Sequence, residues 1–184
     1  MDAITLLKND HKEVKRLFRD FERAKDDRAR KEAVEAMIRE LSVHSAIEEQ
    51  IFYPAVRQEV PDENDTVLEG LEEHHVVKWT LSELEGMEPS DERYKAKVTV
   101  LIESVRHHIE EEEGEMFPAV REALGRKRLG EIGDRMELAK KSAPTHPHPR
   151  SPDEPPGNLV AGAGAAVVDR ARDTVERAVE KVSG

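Results

Sequence analysis

The sequence predicts an all-α protein, and three observations predict it. Charged residues make up 38% and aromatic residues 4% of the chain, a balance that suits solvated helical faces better than sheets. Glycine and proline are scarce except in one late stretch. Apolar residues recur at alternating three- and four-residue steps through four long segments, the spacing that puts them on one helical stripe.

The first helix is capped by Asp2 and carries Ile4, Leu7, Val14, Phe18 and Phe21 in register, with His11 at the step between Leu7 and Val14. A second helix begins near Asp27 and aligns Val34, Ile38, Leu41, Ile51 and Ala55, with His44 and Glu48 at the stripe positions between Leu41 and Ile51. After a turn around Pro61 to Asn64, a third helix aligns Val67, Leu71, Val77, Leu81 and Leu84, and His74 fills its gap. Pro89-Ser90-Asp91 opens a fourth, where Val98, Leu101, Val105, Met116 and Ala119 flank His108 and Glu112. Polar groups thus occupy the centre of four apolar seams.

A short amphipathic fifth helix is expected over 126–141, packed on the outside, and it ends a domain spanning 1–141. Residues 142–158 (SAPTHPHPRSPDEPPGN) read as a flexible Pro-rich linker. Residues 159–184 read as an amphipathic tail helix with Val168, Val175, Val179 and Val182 on one face. Its Arg170, Arg172, Arg177 and Lys181 balance Asp169, Asp173, Glu176 and Glu180. Such a helix could dock a protein partner.

The chain repeats itself. HSAIEEQIFYPAVR from His44 and HIEEEEGEMFPAVR from His108 align His, Glu-Glu and Pro-Ala-Val-Arg without a gap, and Asp10-His11 matches Glu73-His74. His74 follows His11 by 63 residues and His108 follows His44 by 64. Two helical hairpins of nearly equal length can pack with approximate two-fold symmetry as an up-down-up-down four-helix bundle. Residues four apart on a helix lie one above the other. Each H-x-x-x-E pair therefore points an imidazole and a carboxylate into one interior layer.

Six such groups buried without partners would cost several kcal/mol each, about the whole stability of a domain. A pair of cations resolves the difficulty. If each takes two histidines and one oxygen from each of two bridging glutamates, an oxo or hydroxo bridge leaves roughly one open position on an octahedral ion. The chain has no cysteine, and imidazole with carboxylate suits iron and manganese, and zinc less exclusively. The competing carboxylate bundle needs a Glu-x-x-His pair on each of two helices, and only Glu72 to His75 fits.

The paired H-x-x-x-E-E motifs, each followed by an aromatic residue and proline, together with the Asp-His and Glu-His openings, resemble the hemerythrin/HHE cation-binding family over about residues 1–125. The resemblance implies a non-heme di-iron centre with two Fe ions, held by His11, His44, His74 and His108 with Glu48 and Glu112 as bridges. Dioxygen, peroxide or nitric oxide would be its small ligands. The family's oxygen carriers place two histidines four apart on the third helix, where this chain has His74 and Lys78, and end on H-x-x-x-x-D, where it has H-x-x-x-E. The set of four histidines and two glutamates resembles the family's other members, which implies catalase-like peroxide breakdown over reversible oxygen carriage. The alternative is a non-enzymatic iron, oxygen or nitric-oxide sensor signalling through the tail.

Other residues carry weaker signals. His75 and His107 adjoin proposed ligands but lie off the stripe, so supporting or surface roles are expected. Glu49 and Glu113 recur in both halves and stay open between orienting a ligand and forming a solvated acidic face. His146 and His148 lie in the Pro-rich segment, where no fixed geometry is expected. Tyr53, Phe52, Phe117 and Trp79 stand near the proposed site and could tune solvent access, although packing is the ordinary use of aromatic residues in a bundle, and no role is assigned to them. Pro54 and Pro118 should kink or restart their helices. A net charge of −11 argues against nucleic acid as the partner. With no apolar run of spanning length and no leader-like start, a cytoplasmic protein without an integral membrane segment is expected.

Overall fold

A computed structural model describes residues 1–183, leaving aside the side chains of 159, 160, 176, 177 and 179–183. The order is α1 (Ala3–Arg23), α2 (Asp27–Ile47), α3 (Tyr53–Glu59), α4 (Asn64–Glu85), α5 (Tyr94–Glu111), α6 (Phe117–Lys140) and α7 (Gly157–Ser183). The first and third rods of the bundle are α1 and α4. The second joins α2 to α3, and the fourth joins α5 to α6. Asp2 caps α1 by accepting the Thr5 N–H at 3.0 Å, and Asp26 caps α2 by accepting the Ala29 N–H at 2.8 Å. The all-α bundle expected from the sequence is the fold found.

Both joins are single π-helical turns, Glu48–Phe52 and Glu112–Met116. The Tyr53 N–H reaches back five residues to the Glu48 carbonyl, and the Phe117 N–H does the same to Glu112. Proline explains the position of each turn. Pro54 and Pro118 have no N–H to continue an α ladder, and their rings would strike the carbonyl four residues back. Widening the preceding turn removes that clash, so the expected kink takes the form of a π turn starting at each stripe glutamate. Pro54 also leaves the Glu49 carbonyl without a donor from its own helix. Asn158 Nδ2 supplies one at 3.1 Å.

The buried apolar side chains form two clusters. One contains Leu7, Ile47, Phe52, Val67, Phe117 and Ile132, and the other Val14, Phe18, Leu41, Leu81, Val98 and Ile109. Buried between them in sequence register lie His11, His44, Glu48, His74, His108 and Glu112. A polar layer thus divides the core, and burial of about 1.5–3 kcal/mol per large apolar side chain on either side holds it.

The fifth helix of the sequence reading is the second arm of α6, which bends at Gly125 (φ 65°, ψ 175°), a left-handed conformation that glycine adopts without strain. Beyond the bend, Leu129, Ile132 and Met136 are buried against the N-terminal end of α1. Gly133 permits this approach, since a Cβ there would lie 2.1 Å from the Met1 carbonyl oxygen.

Residues 142–156 run back along the bundle in turns. His146 Nδ1 stands 2.5 Å from Glu85 Oε1, its Nε2 lies 3.0 Å from Asp173 Oδ1, and His148 Nε2 is 3.1 Å from Asp169. The tail helix α7 therefore faces the bundle with Asp169 and Asp173, both buried, while Val168 and Val175 are exposed. The remaining tail residues of the sequence reading, Val179, Val182, Arg177, Lys181, Glu176 and Glu180, lie outside the described side chains. Among the described residues no helix is long and apolar enough to cross a membrane.

Candidate metal centre

The structure brings all six stripe residues together. His11 and His44 form one pair with ring centroids 4.9 Å apart, and His74 and His108 a second at 4.8 Å. Each glutamate lies between the pairs. Glu48 Oε2 is 3.0 Å from His44 Nε2 and 3.3 Å from His74 Nε2, and Glu112 Oε2 is 3.2 Å from His11 Nε2 and 3.6 Å from His108 Nε2. Ligand atoms of His11, His44, Glu48 and Glu112 fall within 4.8 Å of one another, as do those of Glu48, His74 and His108.

These short distances are mostly not hydrogen bonds. His11 Nε2, His44 Nε2, both Glu48 oxygens and Glu112 Oε2 are buried with no hydrogen-bond partner. Buried polar atoms are almost always satisfied, and here five unsatisfied ones converge on one layer. That set fits cations: nitrogen and oxygen donors, no sulfur, and glutamates placed to be shared.

Electrostatics favour charge in the layer. Burial pushes the Glu48 carboxyl up, but His44 and His74 outweigh it and hold it well below the usual range. Burial likewise pulls the His44 and His74 imidazoliums down, yet the surrounding carboxylates raise them to about 10 and about 9. Without a cation, protons take part of its place.

The far nitrogen of each imidazole faces an acid. His11 Nδ1 is 2.9 Å from Glu113, His74 Nδ1 3.0 Å from Glu49, and His108 Nδ1 2.6 Å from Glu73. His44 Nδ1 stands 3.9 Å from Asp10 Oδ2, about 1 Å too far for a hydrogen bond. The assignment follows the repeat. The acid before the first histidine of a hairpin (Asp10, Glu73) faces that hairpin's second histidine, and the acid after the glutamate (Glu49, Glu113) crosses to the other hairpin. Carboxylates behind ligating histidines fix ring orientation and raise basicity. Glu49 and Glu113 thus each face an imidazole of the inner layer. The parts of Asp10 and Glu73 were missed, although both stand in the repeated motif beside His11 and His74.

Residues 2–120 match the hemerythrin HHE cation binding domain. The chain belongs to the hemerythrin HHE cation-binding family. A hemerythrin-like protein of Schizosaccharomyces pombe is 30% identical over 169 residues, covering 91% of this chain and 83% of that protein. A crystal structure of a hemerythrin HHE cation-binding domain protein from Mycobacterium kansasii has a TM-score of 0.65 and 26% identity, covering 77% of this chain and 86% of that one. A DNA nickase of Nostoc is 27% identical over 140 residues, which span 76% of this chain and 39% of the nickase. As an HHE domain the protein binds metal cations, typically iron.

One departure from two-fold symmetry stands at the centre of this HHE domain. Tyr53 donates its hydroxyl to Glu112 Oε1 at 2.9 Å, whereas the repeat places Phe117 at the equivalent position, stacked on His11 at 5.7 Å. Burial and the negative charges of Glu112 and Glu48 push the Tyr53 phenol well above its ordinary value, so it stays a proton donor. The sequence alone assigns Tyr53 no role. His75 accepts from Trp79 Nε1 at 3.1 Å at the surface, and His107 pairs with Glu111 outside the centre.

Proposed function

We propose that the protein is a non-heme di-iron protein that breaks down peroxide in preference to carrying oxygen reversibly, with His11, His44, His74 and His108 as ligands and Glu48 and Glu112 shared. The observation that carries the reading is the protonated Tyr53 hydroxyl on Glu112, beside a His74 whose helical neighbour Lys78 is not available as a ligand. Lys78 Nζ donates to Glu49 Oε2 at 2.8 Å and to Asp153 Oδ1 at 2.6 Å. When bound, iron supplies redox chemistry and a position not filled by protein.

The residues of the chain then do the rest. Tyr53 holds a proton at its hydroxyl oxygen, within reach of a small molecule entering between the glutamates. Phe52, Phe117 and Met116, all buried, close one side against water. Glu49, Glu73 and Glu113 hold the imidazoles from behind. Two molecules of hydrogen peroxide give two of water and one of dioxygen, one reduced and one oxidised, so no outside reductant is required. DNA is not part of the proposal, because a net charge of −11 repels a phosphate backbone overall.

The test is dioxygen release from hydrogen peroxide by iron-loaded protein and by a His44→Ala variant, with metal analysis of both. Release by the wild type and its loss in the variant are expected. Equal, negligible rates remove the peroxide reading, and protein that binds no transition metal removes the di-iron one.

A second reading, a sensor signalling through the tail, is favoured by the same Lys78. It links Glu49, which faces His74, to Asp153 in the segment that leads to α7. Hydrogen exchange of residues 142–175 with and without iron tests it, and identical protection in the two states would count against it.

A further inference from the structure

Four acids stand behind the four imidazoles, and three of them carry a lysine. Lys140 donates to Asp10 Oδ1 at 2.5 Å, Lys78 to Glu49 Oε2 at 2.8 Å and Lys15 to Glu113 Oε1 at 3.4 Å. The fourth acid, Glu73, has no lysine or arginine partner among the described residues. Beside it on α5 stand His107 and Glu111, with His107 Nε2 at 3.3 Å from Glu111 Oε1, and the ligand atoms of all three residues lie within 4.8 Å of one another.

The repeat shows that this difference is local. The positions equivalent to Glu73, His107 and Glu111 in the first hairpin are Asp10, Val43 and Ile47. Val43 and Ile47 are buried in the core, and the second arm of α6 brings Lys140 onto Asp10. Around Glu73 the surface is open: the His107 side chain is 65% exposed and that of Glu111 35%. Where one hairpin seats an ammonium on its acid, the other offers an imidazole and a second carboxylate.

We propose that Glu73, His107 and Glu111 bind a divalent transition-metal ion at the surface and that this site loads the buried centre. One neutral imidazole and two carboxylates suit a borderline dication such as Fe2+, Mn2+ or Zn2+, and the two negative charges neutralise it. His107 and Glu111 lie one helical turn apart and so share a face. Exposed Glu72 and Glu110, next in sequence to members of the trio, add negative charge that raises the local cation concentration. Glu73 connects the two sites, since its Oε2 is 2.6 Å from His108 Nδ1. A cation in the trio is one carboxylate removed from a residue of the inner layer. The loading role rests on the proposed ligation at that layer; the surface site itself does not.

Equilibrium dialysis of the full chain against Mn2+ tests the site, using wild type, a H107A/E111A double variant and His44→Ala. Both replaced surface side chains are solvent-facing, and Glu73 is kept because it faces His108. The double variant is expected to lose one weaker Mn2+ and keep the tighter ones, while His44→Ala loses tight binding and keeps the weaker ion. Uptake of Fe2+ into a chelator-resistant form is expected to be about tenfold slower in the double variant, reaching the same final content. Wild-type Mn2+ binding by the double variant overturns the site, and an unchanged uptake rate overturns its loading role. Tight binding unchanged in His44→Ala would instead count against the inner centre, leaving the surface result readable on its own.

Discussion

A Cβ on Gly70 would lie 3.0 Å from the Tyr53 hydroxyl oxygen and 3.6 Å from His108 Cε1, so the bare backbone of α4 at this point is what lets the phenol reach Glu112. The first hairpin has Leu7 at the equivalent position, in the same buried cluster as Phe117. Glycine with tyrosine in one half and leucine with phenylalanine in the other fill the two sides differently. Tyr53→Phe is expected to keep its iron and to lose peroxide breakdown by about 10²-fold, the low end for removing a positioned proton donor. Gly70→Ala, which shifts the hydroxyl without deleting it, is expected to lose about tenfold. Rates per bound iron check both.

Lys78 and Glu49 form a buried ion pair behind His74. Lys78→Met leaves the Glu49 carboxylate without its ammonium, and breaking such a pair costs about 3 kcal/mol, to be read from urea denaturation of metal-free protein. Glu49→Gln keeps the shape and weakens the hold on His74. Its affinity for iron is expected to fall about 10-fold or more, measured by competition with a chelator.

Stability of the metal-free protein should depend on pH through His44 and His74. Both are raised by the carboxylates around them, to about 10 and about 9, from about 6.5 in the unfolded chain. A folded value above the unfolded one gives stabilisation that is complete below about pH 6.5 and is lost as pH rises through 9 to 10. The thermal midpoint of metal-free protein is therefore expected to fall between pH 7 and 10. Ligating imidazoles must be neutral, so loading at pH 7 should release protons, detectable with an indicator dye, and should flatten the pH dependence.

Gly133→Ala tests the seating of α6 against the N-terminus. The added Cβ would meet the Met1 carbonyl oxygen at 2.1 Å and the Ala3 nitrogen at 2.8 Å, and backbone cannot swing aside as a side chain can. A loss of about 1–3 kcal/mol is expected, with iron content unchanged because the contact lies away from the six inner residues. Calorimetry and metal analysis together check it.

Most of this architecture is legible in the sequence because helical periodicity is local. His11, His44, Glu48, His74, His108 and Glu112 interrupt apolar stripes at the spacing that puts them inside, and the repeat fixes which helices correspond. What the sequence hides depends on distances between helices. Nothing in the run Glu110 to Glu113 says that Glu113 reaches back to His11 while Glu111 faces outward with His107; that sorting comes from the π turn and the packing of α5. The prolines announce a break, but its form as a widened turn beginning at Glu48 and Glu112 follows from backbone bonding. His146 and His148 looked unanchored because their partners Asp169 and Asp173 are over twenty residues away, on a helix whose charged side turns inward.

The crossing of Glu49 from the first hairpin to His74 of the second, and of Glu113 from the second to His11 of the first, makes the two hairpins behave as the leaves of a clasp. Neither leaf alone supplies a full environment for any inner pair, so the leaves cannot part without exposing the polar layer between them. Parting the hairpins breaks both crossings in one step, so the inner layer opens cooperatively and not one histidine at a time.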